Sequence, residues 1–413
     1  MILNKKIAIY FILIGSLFVG YYFEENSSGG AKIDHEYMMP FVIEFSLNFE
    51  NGLSNYFSNK SSLIHSPVFY LLTSGGLSLI NSLELVNVIY IVISSLLPFI
   101  FFLVLFEKFE INLKFLFFFS LIIFISPYFR SSGIWLLGDN LSLIFFSLFI
   151  LFLLKSETKT NYIFFSLFFL ILCCYIRYYY CLFYIYFLYM VFCEYKLNLK
   201  LKIYLFLFSL IFALPAIFYF IYITINHNFF DALTTFGGVN YINSSLIIFS
   251  IILFYLVPFF WNDLFKIIKY YKSNKISFLI IVISFLFLFF LNFHLNLFSV
   301  SSRGGGVFIK LAKYMDINLD MVVMILGAIS LLILNYIFDK SKFRNYLIII
   351  ILIFSLSLNT IYQKYLDPFF IIILFSLINS NVIHNKIKNN EINLSFVFFY
   401  FFSFYLFSFY YYS

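Results

Sequence analysis

Apolar runs of close to 20 residues recur from one end of the chain to the other, separated mostly by short polar turns. A helix needs about 20 such residues to cross a bilayer, so this pattern predicts membrane spans. Thirteen are predicted: 7–23, 85–106, 115–129, 133–154, 160–176, 178–193, 203–224, 242–262, 276–297, 319–338, 345–361, 366–382 and 394–411. The two longest polar interruptions are at 24–84 and 299–318. Within the first, Pro40 fits the opening turn of a helix, with Phe41, Val42, Phe45 and Phe49 recurring on one face. Ser66-Pro67 reads as an N-cap followed by an N1 proline, opening an apolar stretch to Ile80 that is too short to span.

Composition sharpens the class. The chain is 63% hydrophobic and only 11% charged, against about 25% charged in soluble domains. A membrane β-barrel would show short alternating strands instead. The expectation is an all-α polytopic membrane helix bundle, a single integral membrane domain over 1–413. Lys5-Lys6 ahead of an apolar run resembles a signal peptide, but the run is long and no A-x-A site follows, so an uncleaved first span is predicted. Cys173, Cys174, Cys181 and Cys193 share one apolar stretch and form no CxxC pattern.

The net charge of +7 does not point to nucleic acid, because the basic residues segregate by membrane side. Threading the thirteen spans from a cytoplasmic N-terminus puts 18 of the 26 Lys and Arg inside, which leaves 8 outside. That bias is the positive-inside signature. It places 24–84 and 299–318 on the extracytoplasmic face and the C-terminus outside.

The outer loops therefore hold the chemistry. Asp34, His35 and Glu36 stand near the start of the first loop, and His65 stands near its end. Asp139, Arg177, Arg303 with its glycine run, Lys310, Lys313, Gln363 and Lys364 supply the other polar groups on that face. A carboxylate beside cations at a membrane surface suits sugar transfer from a lipid phosphate. The carboxylate takes the acceptor's proton, and cations stabilise the departing phosphate. Asp34 is the first candidate base, with Glu36 the alternative, and Arg303 is the first phosphate candidate. The Asp-x-Glu spacing with His35 or His65 can also hold a divalent cation such as Mg or Mn; no other cofactor is implied.

Asp34-His-Glu-Tyr37, His65-Ser-Pro-Val-Phe-Tyr-Leu-Leu72, Leu137-Gly-Asp-Asn140, Arg177-Tyr-Tyr and Gln363-Lys-Tyr-Leu-Asp-Pro368 together resemble the GT-C superfamily of membrane glycosyltransferases. The likeness is greatest to the dolichyl-phosphate-glucose glucosyltransferases and the bacterial polyprenyl-phosphate-sugar enzymes. The resemblance covers nearly the whole chain in layout, through short motifs. It implies interfacial helices in the first extracytoplasmic loop, a catalytic acid there matching Asp34, a polyprenyl-phosphate-linked sugar donor and inversion at the anomeric carbon. Its acceptor would be a glycolipid, polysaccharide or protein. Two rivals are an O-antigen-type polymerase and a lipid-linked sugar flippase or transporter. The polymerase class puts its largest, arginine-rich loop late in the chain, and a transporter needs charges in mid-span; this chain has neither.

Overall fold

The computed structural model describes residues 2–59, 65–109, 111–195, 197–227, 240–295, 304–356 and 361–412, and among them it is helical with no strand. Two compact units emerge: Met1–Thr235 with Phe401–Ser413, and Phe236–Tyr400. In the first, the helices are α1 Ile2–Tyr22, α2 Ala31–Leu47, α3 Phe49–Ser58, α4 Pro67–Ile80, α5 Leu83–Phe109, α6 Leu113–Ile125, α7 Pro127–Ile134, α8 Gly138–Lys155, α9 Tyr162–Ile176, α10 Phe183–Tyr189 and α11 Leu199–Asn226. In the second they are α12 Tyr241–Ser273, α13 Lys275–Leu295, α14 Gly306–Tyr314, α15 Leu319–Ile337, α16 Lys342–Ser355, α17 Gln363–Ser376 and α18 Asn381–Lys388. The last helix, α19 Leu394–Tyr412, gives residues to both.

Among the described residues seven helices are long and apolar enough to cross a membrane, or nine if each of two bent pairs is one span. The thirteen expected from apolar runs alone are reduced for local reasons. Pro127 cannot continue the i to i−4 ladder, so the expected span 115–129 breaks into α6 and α7 with a 66° bend. A second break, between α17 and α18, bends by 91°. The expected span 178–193 starts as a 3-10 turn and ends as a π-helix on either side of α10. Apolar stretches at Lys6–Tyr22 and Tyr162–Ile176 are helical but short, and α16 stops at Ser355.

Burial argues for lipid as the solvent. The most apolar window of α13 has a mean hydropathy of 2.4 and none of it is buried within the protein. Its Leu279, Ile280, Ile283, Leu286 and Phe287 are each at least half exposed. A row of large apolar side chains of that size is not kept in water, whereas hydrocarbon accepts it without cost. By contrast 83% of the corresponding window of α12 is buried, which makes α12 the core helix of the second unit.

The first loop is packed rather than free. α2 begins at Ala31, nine residues before the expected start at Pro40, so Asp34 lies in its first turn and Pro40 falls in its interior. Pro40 is tolerated there because it sits on an exposed side of the helix, although it gives up one ladder bond. The predicted apolar face holds in part: Phe41, Val42 and Phe45 are buried with Tyr56, Phe69 and Tyr70 in one cluster, but Phe49 is 56% exposed. Asn48 ends α2 and caps α3, accepting from the Asn51 N–H at 3.1 Å. α4 runs Pro67–Ile80 with Ser66 as its cap, as the sequence predicts.

A buried ion pair fixes the end of α1. Arg130 on α7 grips Glu25 with two nitrogens, Nε to Oε1 at 2.8 Å and Nη2 to Oε2 at 2.6 Å. It also donates to the hydroxyl and the carbonyl of Ser16. Ser27 donates to Glu25, and the Trp135 indole donates to the Glu25 carbonyl at 2.8 Å. Bidentate geometry and this full set of partners are what a buried pair needs to offset its desolvation.

In the second unit the glycine run is a backbone device. Gly304, Gly305 and Gly306 have φ of 81°, 79° and 80°, a left-handed region in which a Cβ costs about 1–2 kcal/mol per residue. A Cβ on Gly306 would also stand 2.9 Å from Ile251 and 3.0 Å from the Gln363 amide oxygen. Gly306→Ala should therefore lower the thermal midpoint of the purified protein; an unchanged midpoint would show that the turn is not under this constraint. A further buried pair, Asp263 to Lys386 at 2.6 Å, joins α12 to α18, with Lys266 bridging Asp263 and Glu391.

Candidate functional site

Three ends of secondary structure meet in the first unit to form a cleft. They are the first turns of α2, the start of α4 and the junction of α9 with the turn after it, joined by a fourth, the start of α8. The cleft holds about 470 Å³ of space including its open mouth, lined by Asp34, Tyr37 and Met38, by His65, Ser66, Phe69 and Tyr70, and by Leu137, Gly138, Ile176 and Arg177. Residues 34, 37 and 38 share a face by helical spacing, so Asp34 is the carboxylate that α2 presents to it. Glu36, two positions on, projects elsewhere and is not part of the lining.

Gly138 makes the meeting possible. A Cβ there would lie 3.1 Å from both Ile176 and Phe69, so α8, α9 and α4 approach one another through the missing side chain. One residue on, Asp139 occupies the first turn of α8, where the helix dipole favours an anion. Its carboxylate takes the Arg177 guanidinium at 2.6 Å. Burial alone would lower the tendency of Arg177 to hold its proton, but the adjacent Asp139 outweighs it and raises the pKa above the ordinary value. The charge on Arg177 is therefore permanent.

A second guanidinium nitrogen, Nη1, stands 3.3 Å from His65 Nδ1. The His65-Ser66 segment is strapped down by hydroxyls: Tyr56 donates to the His65 carbonyl at 2.6 Å, Tyr178 donates to the same oxygen at 3.2 Å, and the Ser66 hydroxyl donates to the Tyr175 carbonyl. Tyr56 is fully buried and also pairs with Tyr219 of α11 at 2.9 Å. Rigid support of this kind holds a site to the tolerance that chemistry requires.

His35 serves another purpose. Its Nδ1–H donates to the Trp135 carbonyl at 2.7 Å and its ring meets the Trp135 indole edge-on. Burial lowers its pKa below the ordinary 6.5, against smaller raising effects from that hydrogen bond and from Glu36. The folded state then binds fewer protons than the unfolded one between the two values. Stability is full above pH 6.5 and falls as the pH drops through that window. Thermal unfolding in detergent should show this acid loss, and His35→Gln should reduce it; an equal loss in the variant would assign it to other groups.

Of the expected polar residues, Asp34, His65 and Arg177 line one cleft, and Asp139 stands behind Arg177. The second unit holds Lys310, Lys313, Gln363 and Lys364. Lys310 and Lys313 lie on α14, half-buried and exposed respectively. The Lys364 ammonium sits 5.8 Å from the ring centres of both Tyr362 and Tyr365. Gln363 is buried, accepting from the Val307 N–H at 3.0 Å and donating to the Tyr255 hydroxyl at 3.2 Å, so its amide braces the glycine turn. Arg303 lies outside the described residues. With Glu36 turned away and His35 bonded to Trp135, the Asp34-x-Glu36 pair does not converge with His35 into a chelate. Among the described residues no three His, Cys, Asp or Glu side chains are grouped to hold a metal.

Tyr37 and Tyr70 were not among the expected site residues, yet both line the cleft. The signal for Tyr37 was its position three residues after Asp34; Tyr70 had none beyond its place in the first turn of α4. Aromatic faces and hydroxyls beside a carboxylate and a guanidinium suit a polyhydroxylated ligand carrying a negative charge. Comparisons with family models, with curated proteins and with solved structures find no match to this chain.

Proposed function

We propose that the protein is a GT-C-type membrane glycosyltransferase that moves one sugar from a polyprenyl-phosphate carrier to an extracytoplasmic acceptor, with inversion. The observation that carries the reading is the cleft of the first unit, which has a carboxylate on one wall and a permanently charged arginine on another. In this mechanism Asp34 accepts the proton of the acceptor hydroxyl as its oxygen forms a bond to the anomeric carbon. The bond from that carbon to the phosphate oxygen breaks on the opposite face, and both its electrons leave with the lipid phosphate. Tyr37 and Tyr70 offer surfaces for the sugar, and the Arg177 side bears the negative charge. The full thirteen-span layout, the cytoplasmic N-terminus and the outward-facing cleft belong to this proposal, as do glycolipid, polysaccharide or protein as acceptor.

The test is turnover by purified protein in lipid nanodiscs with polyprenyl-phosphate sugars labelled in the hexose. Release of polyprenyl phosphate with one sugar on the acceptor is expected. A ladder of products would favour the polymerase. Loss of donor from one leaflet with no bond broken would make the protein a flippase.

A further inference from the structure

The contacts of Arg177 determine more than its own charge. A guanidinium has donors only and no acceptor. Its 3.3 Å contact with His65 Nδ1 therefore requires a lone pair on that nitrogen, which leaves the ring proton on Nε2. The guanidinium is itself held by the Asp139 carboxylate at 2.6 Å, and Asp139 is fixed in the first turn of α8. From the other side, the backbone of His65 is held by the hydroxyls of Tyr56 and Tyr178. Asp139, Arg177 and His65 thus form a chain in which each member orients the next, ending at an imidazole on the cleft wall.

The geometry points to His65 as a neutral hydrogen-bond donor, locked in the Nε2–H form by Arg177, that contacts an oxygen of the donor's sugar-phosphate headgroup. Arg177, beside its electrostatic role in the cleft, then also acts with Asp139 as a positioning residue that sets the histidine's tautomer. This assignment deepens the glycosyltransferase reading and rests on it for the identity of the headgroup. The tautomer itself rests only on the three side chains.

Two measurements test it. The first needs no substrate. Protein labelled with ¹⁵N-histidine contains only five histidines, and solid-state NMR in bilayers, with His65→Asn to assign the resonance, reads which ring nitrogen carries hydrogen. His65 should show protonated Nε2 and bare Nδ1, and Arg177→Leu should mix or reverse the forms. A charged ring, a proton on Nδ1, or no response to Arg177→Leu overturns the assignment whether or not the protein is a transferase. The second measurement is turnover. A Gln amide can place an N–H near the position of Nε2, whereas an Asn amide reaches only to that of Nδ1. Loss of one hydrogen bond to a charged group costs roughly 10- to 100-fold. His65→Gln should therefore stay within about 10-fold of wild type and His65→Asn should fall roughly 100-fold, with both folded by size-exclusion profile. Equal activities, or the reverse order, overturn the donor role. If the wild-type protein turns over no polyprenyl-phosphate sugar, the glycosyltransferase reading fails, while the NMR result stands on its own.

Discussion

Asp34→Asn should reduce sugar transfer by about 10²- to 10⁴-fold, the range over which a positioned general base acts, while the protein still inserts and unfolds at the wild-type temperature. The side chain is exposed at the cleft on the first turn of α2, and the amide keeps its shape. The neighbouring carboxylate is the internal control. Glu36 is equally exposed but does not line the cleft, and Glu36→Gln should stay within a few-fold of wild type. Steady-state turnover of the two variants in nanodiscs separates the positions. Full activity in Asp34→Asn, or the larger loss in Glu36→Gln, would move the base away from residue 34.

Glu25→Ala should be among the most damaging substitutions to stability, costing about 3–5 kcal/mol. It strips the carboxylate from a guanidinium that is only 9% exposed and leaves that cation with neutral partners, the Ser16 hydroxyl and carbonyl and the Tyr405 ring. Total stabilities are about 5–15 kcal/mol, so thermal unfolding in detergent should show a large drop in midpoint and expression should fall. Glu24, one residue earlier, pairs with Lys32 in the open, and Glu24→Ala should change little. Replacing Glu25 and Arg130 together with methionine should recover much of the loss, because no buried charge is then left unpaired. If Glu25→Ala unfolds like wild type, the pair does not hold α1 to α7.

The sequence made the helical membrane class legible because hydrocarbon imposes one rule, internal satisfaction of the backbone, on every residue of a span. Ser66-Pro67 and the end of its helix at Ile80 were equally readable, since capping chemistry is local. The thirteen expected spans do not appear as thirteen long helices among the described residues, because an apolar run does not reveal its own breaks. Ser126-Pro127 sits inside such a run, and the 66° bend there depends on what packs around it. Pro40 misled in the opposite direction: its preference for a first turn was overridden by the burial of Met38 and Met39 on α2. For the site, spacing could bring Asp34 and Tyr37 to one face, but it could not choose between Asp34 and Glu36 without knowing which face meets α4. The contacts of Arg177 with Asp139 and His65 span 38 and 112 positions, and no local pattern encodes them. Likewise the glycines after Arg303 adjoin a phosphate candidate in the sequence, whereas Gly306 makes room for Ile251 and Gln363.

α13 carries a practical consequence for handling the protein. A span with no fully buried residue in its apolar window takes much of its contact from the acyl chains around it. Harsh delipidation should therefore loosen this segment before the well-covered α12, and loss of activity in short-chain detergents need not implicate the cleft. Limited proteolysis along a series of detergents of decreasing chain length would show cleavage near Lys275 first.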